Sequence, residues 1–181
     1  MDTTTTTTEA PRFVRSAAAV ATSAGDDYHV DIRSGHHLLA ADEPEQSGGG
    51  DTATTPVGLL LSAVGSCTAI TLRMYAGRKG WPLETVRVHL GYEKGPDATA
   101  RITRRIDLLG DLDDTQRARL LDIADRTPVT RAVSGGTPIV AAGPRPAAPA
   151  NANADTDADA DTDADADTDA DADAKEHDGH E

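Results

Sequence analysis

One stretch, residues 54–82 (TTPVGLLLSAVGSCTAITLRMYAGRKGWP), constrains this chain more than any other. Thr55 is placed to cap a helix, and Pro56 suits the first helical position, where a missing N–H costs nothing; Gly80 and Pro82 mark the far end. An unbroken helix between those marks is about 24 residues and about 36 Å long. Its first half, with Val57, Leu59, Leu60, Leu61, Ala63 and Val64, is apolar nearly all round, so it has to be covered on most faces. The apolar run ends near Ile70, and Arg73, Arg78 and Lys79 follow, so it reads as a core helix too short to span a bilayer. Cys67, the chain's single cysteine, lies inside it.

Around this helix the pattern is one of short strands. Residues 12–22 and 28–33 read as two strands joined around Gly25 and Asp26, with Tyr28, Val30 and Ile32 alternating with polar residues. A third, short strand over residues 37–40 gives way to Asp42-Glu43-Pro44 and a glycine cluster, read as a flexible loop before the helix. Beyond the helix, Val86, Val88 and Leu90 alternate with Arg87, His89 and Gly91. They pair in hairpin fashion with residues 100–109, where Ile102, Ile106 and Leu108 share a parity, across a turn at Gly95-Pro96-Asp97. Asp113 and Gln116 sit in capping-box positions for a second helix that ends before Pro128, and residues 137–142 read as a last strand. Strands mostly in hairpins, with two helices, predict an α+β domain over residues 12–143.

Composition matters mainly at the ends. From Asn151 onward thirteen acids face one lysine, and no aliphatic residue is larger than alanine. Residues 144–181 are therefore expected to be a disordered, Pro/Ala- then Asp/Ala-rich tail, and the Thr-rich residues 1–11 a disordered leader. Of the formal net charge of −14, only −2 belongs to residues 1–150, which leaves no basic stripe for nucleic acid. No signal or anchor pattern precedes the domain, so a cytoplasmic location is expected. A single cysteine excludes an intramolecular disulfide and argues against a cysteine-based zinc site.

The run TPVGLLLSAVGSCTAITLRMYAGRKGWPLETVRVHL resembles the OsmC/Ohr family, most of all its OsmC-like branch; GHHLLAADEP before it and GDLDDTQRARLLDIADRTPVTRAV after it add to the likeness. The resemblance covers about residues 12–142. It implies an intertwined homodimer in which antiparallel sheets wrap two central helices, with active sites built from both subunits. It also implies a thiol peroxidase for organic hydroperoxides, with Cys67 as the peroxidatic residue and no cofactor, reduced by an external dithiol or a lipoylated protein. Two positions depart from the pattern. Thr127 stands where the family's resolving cysteine would be, so an external thiol must resolve the sulfenic acid. Val57 stands where better-known branches place a glutamate ten residues before the cysteine. The nearest acid is then Glu43, with Arg12 or Arg15 as the companion arginine; Arg33 also precedes Glu43. The alternative reading is a non-catalytic ligand-binding or redox-sensing protein of the same fold.

Peroxide reduction needs a thiolate, and an ordinary cysteine, with a pKa of about 8.5, is only a few per cent ionised at neutral pH. In a continuous helix Cys67 is three turns from the start, beyond the reach of the helix dipole, and needs a guanidinium; a break at Gly65 with Ser66 as a new cap would instead put it in a first turn. Both arrangements fit the sequence. Other polar groups rank below it. His36 and His37, adjacent on an apparent strand, are expected on opposite faces in structural roles. Arg73 and Arg78 read as solvent-facing or dimer-contact residues, Arg131 as structural. The Asp-Ala repeats lack the glycine and final glutamate of an EF-hand, so they, like His177 and His180, support weak cation binding at most. No specific metal site is expected.

Overall fold

The computed structural model describes residues 13–25 and 27–141. The Thr-rich amino terminus with Arg12, Asp26, and the tail from residue 142 with His177 and His180 lie outside the described residues. Among the described residues five strands and three α-helices follow in the order β1 (Ala19–Ser23), β2 (Val30–Ser34), β3 (His37–Ala41), α1 (Pro56–Lys79), β4 (Leu83–Lys94), β5 (Ala100–Gly110), α2 (Asp114–Ala124) and α3 (Pro128–Gly135). β1, β2 and β3 form an antiparallel meander, and β4 and β5 a separate antiparallel hairpin. The fold is α+β, with antiparallel sheets and one long helix.

Helix α1 is continuous through Gly65 and Ser66, which removes the alternative of a first-turn cysteine. Thr55 Oγ1 accepts from the Gly58 amide at 3.1 Å, Pro56 occupies the first turn, and Gly80, with φ of +65°, closes the helix in the left-handed region that glycine tolerates. By length and composition α1 is apolar enough to cross a bilayer, contrary to the sequence expectation, because its charges are confined to its last turns. Here it packs instead along β4, α2 and α3.

The core lies at the carboxyl half of α1, where Leu72 and Ala76 meet Leu83, Leu112, Leu120, Ile123 and Ala124. Tyr75 and Trp81 close it in an edge-to-face pair with centroids 5.4 Å apart. In the hairpin Val86, Val88 and Leu90 are half-buried while Arg87 and His89 are exposed, as the alternation predicts. Arg117 ties the β5–α2 turn by donating to the carbonyls of Leu108, Gly110 and Leu112. The expected capping box of α2 is present: Asp113 Oδ1 accepts from the Gln116 amide at 2.7 Å, and Gln116 Oε1 accepts from the Asp113 amide at 3.2 Å.

Three further expectations need correction. The first strand begins at Ala19 and not at residue 12, because its ladder partner β2 ends at Ser34, opposite Ala19, and leaves residues 13–18 unpaired. His36 is not in a strand: Gly35 and His36 form the β2–β3 turn, which brings the two imidazoles together with centroids 3.9 Å apart. The last strand is absent, since residues 137–141 carry no regular structure and Ile139 and Val140 are exposed. In its neighbourhood the chain forms α3, with Pro128 in its first turn and Gly136, at φ of +64°, closing it.

Candidate functional site

Cys67 is a free, half-buried thiol in the middle of α1. Val64, Thr68, Leu72 and Ala76 form the buried stripe of that helix, each four residues from the next. Cys67 belongs to another line. Leu60, Cys67 and Met74 are seven residues apart and so stack along one side, flanked by Ala63 and Ile70. Leu60, Ile70 and Met74 are 37–58% exposed, so the thiol sits in the apolar side of α1 that its own chain leaves uncovered. Val57, in the first turn, is exposed as well.

The loop between β3 and α1 carries Glu43 and is not the slack segment its glycines suggest. Asp42, 2% exposed, organises it. Its carboxylate accepts from the Glu43 amide (2.8 Å), the Gly50 amide (3.2 Å), the Thr52 amide (3.0 Å) and the Thr52 hydroxyl (2.7 Å). Led by the Thr52 hydroxyl, these donors hold its carboxyl down at about 2, against the opposing effect of burial. Because the one Thr52 hydroxyl proton is committed to Asp42, His29 Nδ1, 2.9 Å from Thr52 Oγ1, must be the donor in that contact. The Asp42 amide donates to the Thr54 carbonyl, and Ala41 bridges Thr54, so the same residue joins β3 to the start of α1.

Glu43 is half-buried, with both backbone groups engaged: its amide with Asp42 Oδ1, its carbonyl with the Asp51 amide at 3.1 Å. Among the described residues its carboxylate has no hydrogen-bond or ion-pair partner. Arg15 lies exposed in the segment before β1, and Arg12 is outside the described residues. No hydrogen bond or ion pair joins Cys67, Glu43, Arg15 and Thr127 within the described chain.

Thr127 is 1% exposed at the amino end of α3, its hydroxyl donating to Thr130 Oγ1 at 2.8 Å. Arg104 holds the same corner. It donates to the Ala124 carbonyl at 2.8 Å, reaches Thr130 Oγ1 at 3.4 Å and pairs with Asp125. Sequence reasoning passed over Arg104, yet it shares the parity of Ile102 and Ile106, and a cation at an inward strand position is a visible signal. For Asp42 no such signal exists, since an acid beside Glu43-Pro44 reads as a solvated turn. A cavity of about 350 Å³ opens between α1, the hairpin and α3, lined by Val64, Leu90, Ile102, Arg104, Thr130 and Val133, among others. Val64 belongs to the buried stripe of α1, and Thr130 accepts from the Thr127 hydroxyl, so the cavity adjoins the Thr127 corner; Cys67 is not among the residues that line it.

Of the remaining candidates, Arg73 donates to the Glu84 carbonyl at 2.7 Å and so ties α1 to β4, while Arg78 and Arg131 are exposed. Among the described residues no group of three His, Cys, Asp or Glu side chains is arranged to hold a metal ion.

Residues 48–141 match the family model described as OsmC-like protein. An OsmC-like protein from Mycoplasma pneumoniae superposes with a TM-score of 0.59 at 15% identity, covering 68% of this chain and 91% of that one. An organic hydroperoxide resistance protein from Elizabethkingia anophelis gives 0.53 at 16% identity, over 70% and 93% of the two chains. An organic hydroperoxide resistance protein OsmC from Legionella pneumophila gives 0.51 at 21% identity, over 68% and 93%. These likenesses are of fold. No curated protein sequence matches the chain.

Proposed function

From the premise that this chain belongs to the OsmC-like protein family, which includes organic hydroperoxide resistance proteins, we propose that it is a homodimeric thiol peroxidase reducing organic hydroperoxides through Cys67. The observation that carries this reading is the place of the thiol, half-buried in an apolar helix face that its own chain leaves open. Such a contiguous apolar side calls for a partner surface, and a second copy offers the same one by symmetry. The β1–β2–β3 meander agrees with this: Val20, Leu38 and Leu39 are exposed in one chain. Two copies can cover each other's helices and leave Cys67 in a cleft between subunits, where an apolar hydroperoxide fits.

In the reaction the Cys67 thiolate attacks one oxygen of the O–O bond. That bond breaks, the alkoxide leaves and takes up a proton as the alcohol, and Cys67 becomes the sulfenic acid. With threonine at position 127 no thiol of the same chain can displace the hydroxyl. An external dithiol does so, forming a mixed disulfide and releasing water; its second thiol then attacks that disulfide, freeing Cys67 and leaving with its own disulfide. Glu43, with Arg12 or Arg15, is the pair proposed to hold the thiolate. The cavity between α1 and α3 favours a second reading, a binding protein of the same fold with an inert or sensing thiol.

The test is consumption of cumene hydroperoxide with dihydrolipoamide as reductant, for the wild type and Cys67→Ser. Turnover that vanishes in the variant is expected. Equal, background-level consumption by both proteins contradicts the peroxidase and leaves the binding reading.

A further inference from the structure

The carboxylate of Asp42 does more than close a turn. It is almost fully buried, yet all its bonds go to a ten-residue stretch of its own loop. Around it the loop folds tightly back on itself. Asp51 is in the left-handed region at φ of +51°, and a side chain at Gly49 would put its Cβ 1.9 Å from the Glu43 carbonyl oxygen. The result is a segment with both ends fixed, to β3 and to the start of α1. At its head stands Glu43, whose amide and carbonyl are locked and whose carboxylate is unengaged among the described residues. A rigid backbone under an unengaged, half-buried carboxylate is how a protein presents a charge to a group that arrives from elsewhere.

We propose that Asp42, with the Thr52 hydroxyl, is the positioning element for Glu43: the bonds from Asp42 to Glu43, Gly50 and Thr52 set where the Glu43 carboxylate stands relative to the Cys67 helix. The inference rests on the reading of Cys67 and Glu43 as members of one site. Thr52 is the discriminating residue, because it touches Asp42 and His29 but not Glu43.

Amide hydrogen exchange over residues 43–52 and the rate of Cys67 alkylation by iodoacetamide at fixed pH test this on the full chain. The variants are D42N, T52V, T52S, E43Q and the D42N/E43Q pair. D42N and T52V are expected to exchange at least tenfold faster over the loop. They should also move the alkylation rate at least threefold in the direction E43Q moves it, and the double variant no further than E43Q alone. T52S keeps the hydroxyl and should retain wild-type values in both measurements. Unchanged loop exchange in D42N and T52V overturns the proposal, as do effects of D42N and E43Q that multiply, or an alkylation rate that no variant moves. T52V, the milder change, decides the matter if D42N does not fold. Neither readout uses peroxide, so a wild type without hydroperoxide turnover would sink the peroxidase reading alone.

Discussion

At the scale of single residues, the molecule concentrates polar bonding at two corners, around the buried Asp42 and the half-buried Arg104, and leaves Cys67 on an apolar side. Asp42 makes a prediction about acid stability. Its folded-state pKa of about 2 lies below the unfolded value of about 3.9, so its contribution is fully present above about pH 4 and is lost as pH falls through about 2. The gap in melting temperature between wild type and Asp42→Asn should therefore be constant from pH 7 down to about 4 and narrow below it; a gap unchanged down to pH 2 contradicts the assignment. Arg104 has its own test. Arg104→Met keeps most of the aliphatic stem and removes the donors to Ala124 and Thr130 and the pair with the largely exposed Asp125, so urea unfolding should show a loss of about 1–3 kcal/mol, most of it from the Ala124 carbonyl left without its donor; a loss below about 0.5 kcal/mol would show that the corner does not depend on it.

At the scale of elements, the helix ends and the hairpin were legible where the residues act locally. Thr55, Pro56 and Gly80 bound α1 as read, Asp113 and Gln116 make the box that opens α2, and the parity of Val86, Val88 and Leu90 gave the inner face of the hairpin. What escaped depended on distant partners. The first strand is trimmed by the length of its neighbour, the pairing of His36 with His37 comes from a turn whose place the strand pattern did not mark, and the burial of Asp42 depends on donors eight and ten residues away besides the adjacent Glu43 amide. Helix α3 carried the same proline and glycine marks as α1, but its β-branched Val129, Thr130 and Val133 masked them. Glycines give a paired prediction. Gly77 has nothing within 4 Å of an added Cβ, so Gly77→Ala should stabilise α1 by about 0.5–1 kcal/mol. Gly110 combines φ of +135° with a Cβ position 2.0 Å from the Pro82 carbonyl oxygen, so Gly110→Ala should destabilise by more than that. Chemical denaturation reads both signs, and stabilisation by Gly110→Ala would contradict the close approach of β4 and β5 at this bulge.

For the molecule as a whole, the apolar half of α1 and the exposed meander are unfinished surfaces in one chain, and the homodimer proposed for it finishes them. The site inherits that incompleteness: Cys67 and Glu43 are each held in place, but no arginine among the described residues joins them. Ile70→Asp, at a position 58% exposed in the single chain, should leave each chain folded by circular dichroism and halve the mass measured by light scattering; an unchanged mass contradicts an interface on this face. The fold class was read from the strand and helix pattern, and the departure at Thr127 from the family motif. The site was not, because a second copy enters no local pattern. The measurement that tests the central claim most directly is intact-mass analysis after a brief stoichiometric pulse of cumene hydroperoxide with a sulfenic-acid trap, with Cys67→Ser as control. One trap adduct per wild-type chain, none in the variant, and reduction of the untrapped sulfenic acid back to the thiol by a dithiol, which leaves as its own disulfide with release of water, are the predicted result. An unmodified native wild-type chain after the pulse would contradict a peroxidatic Cys67.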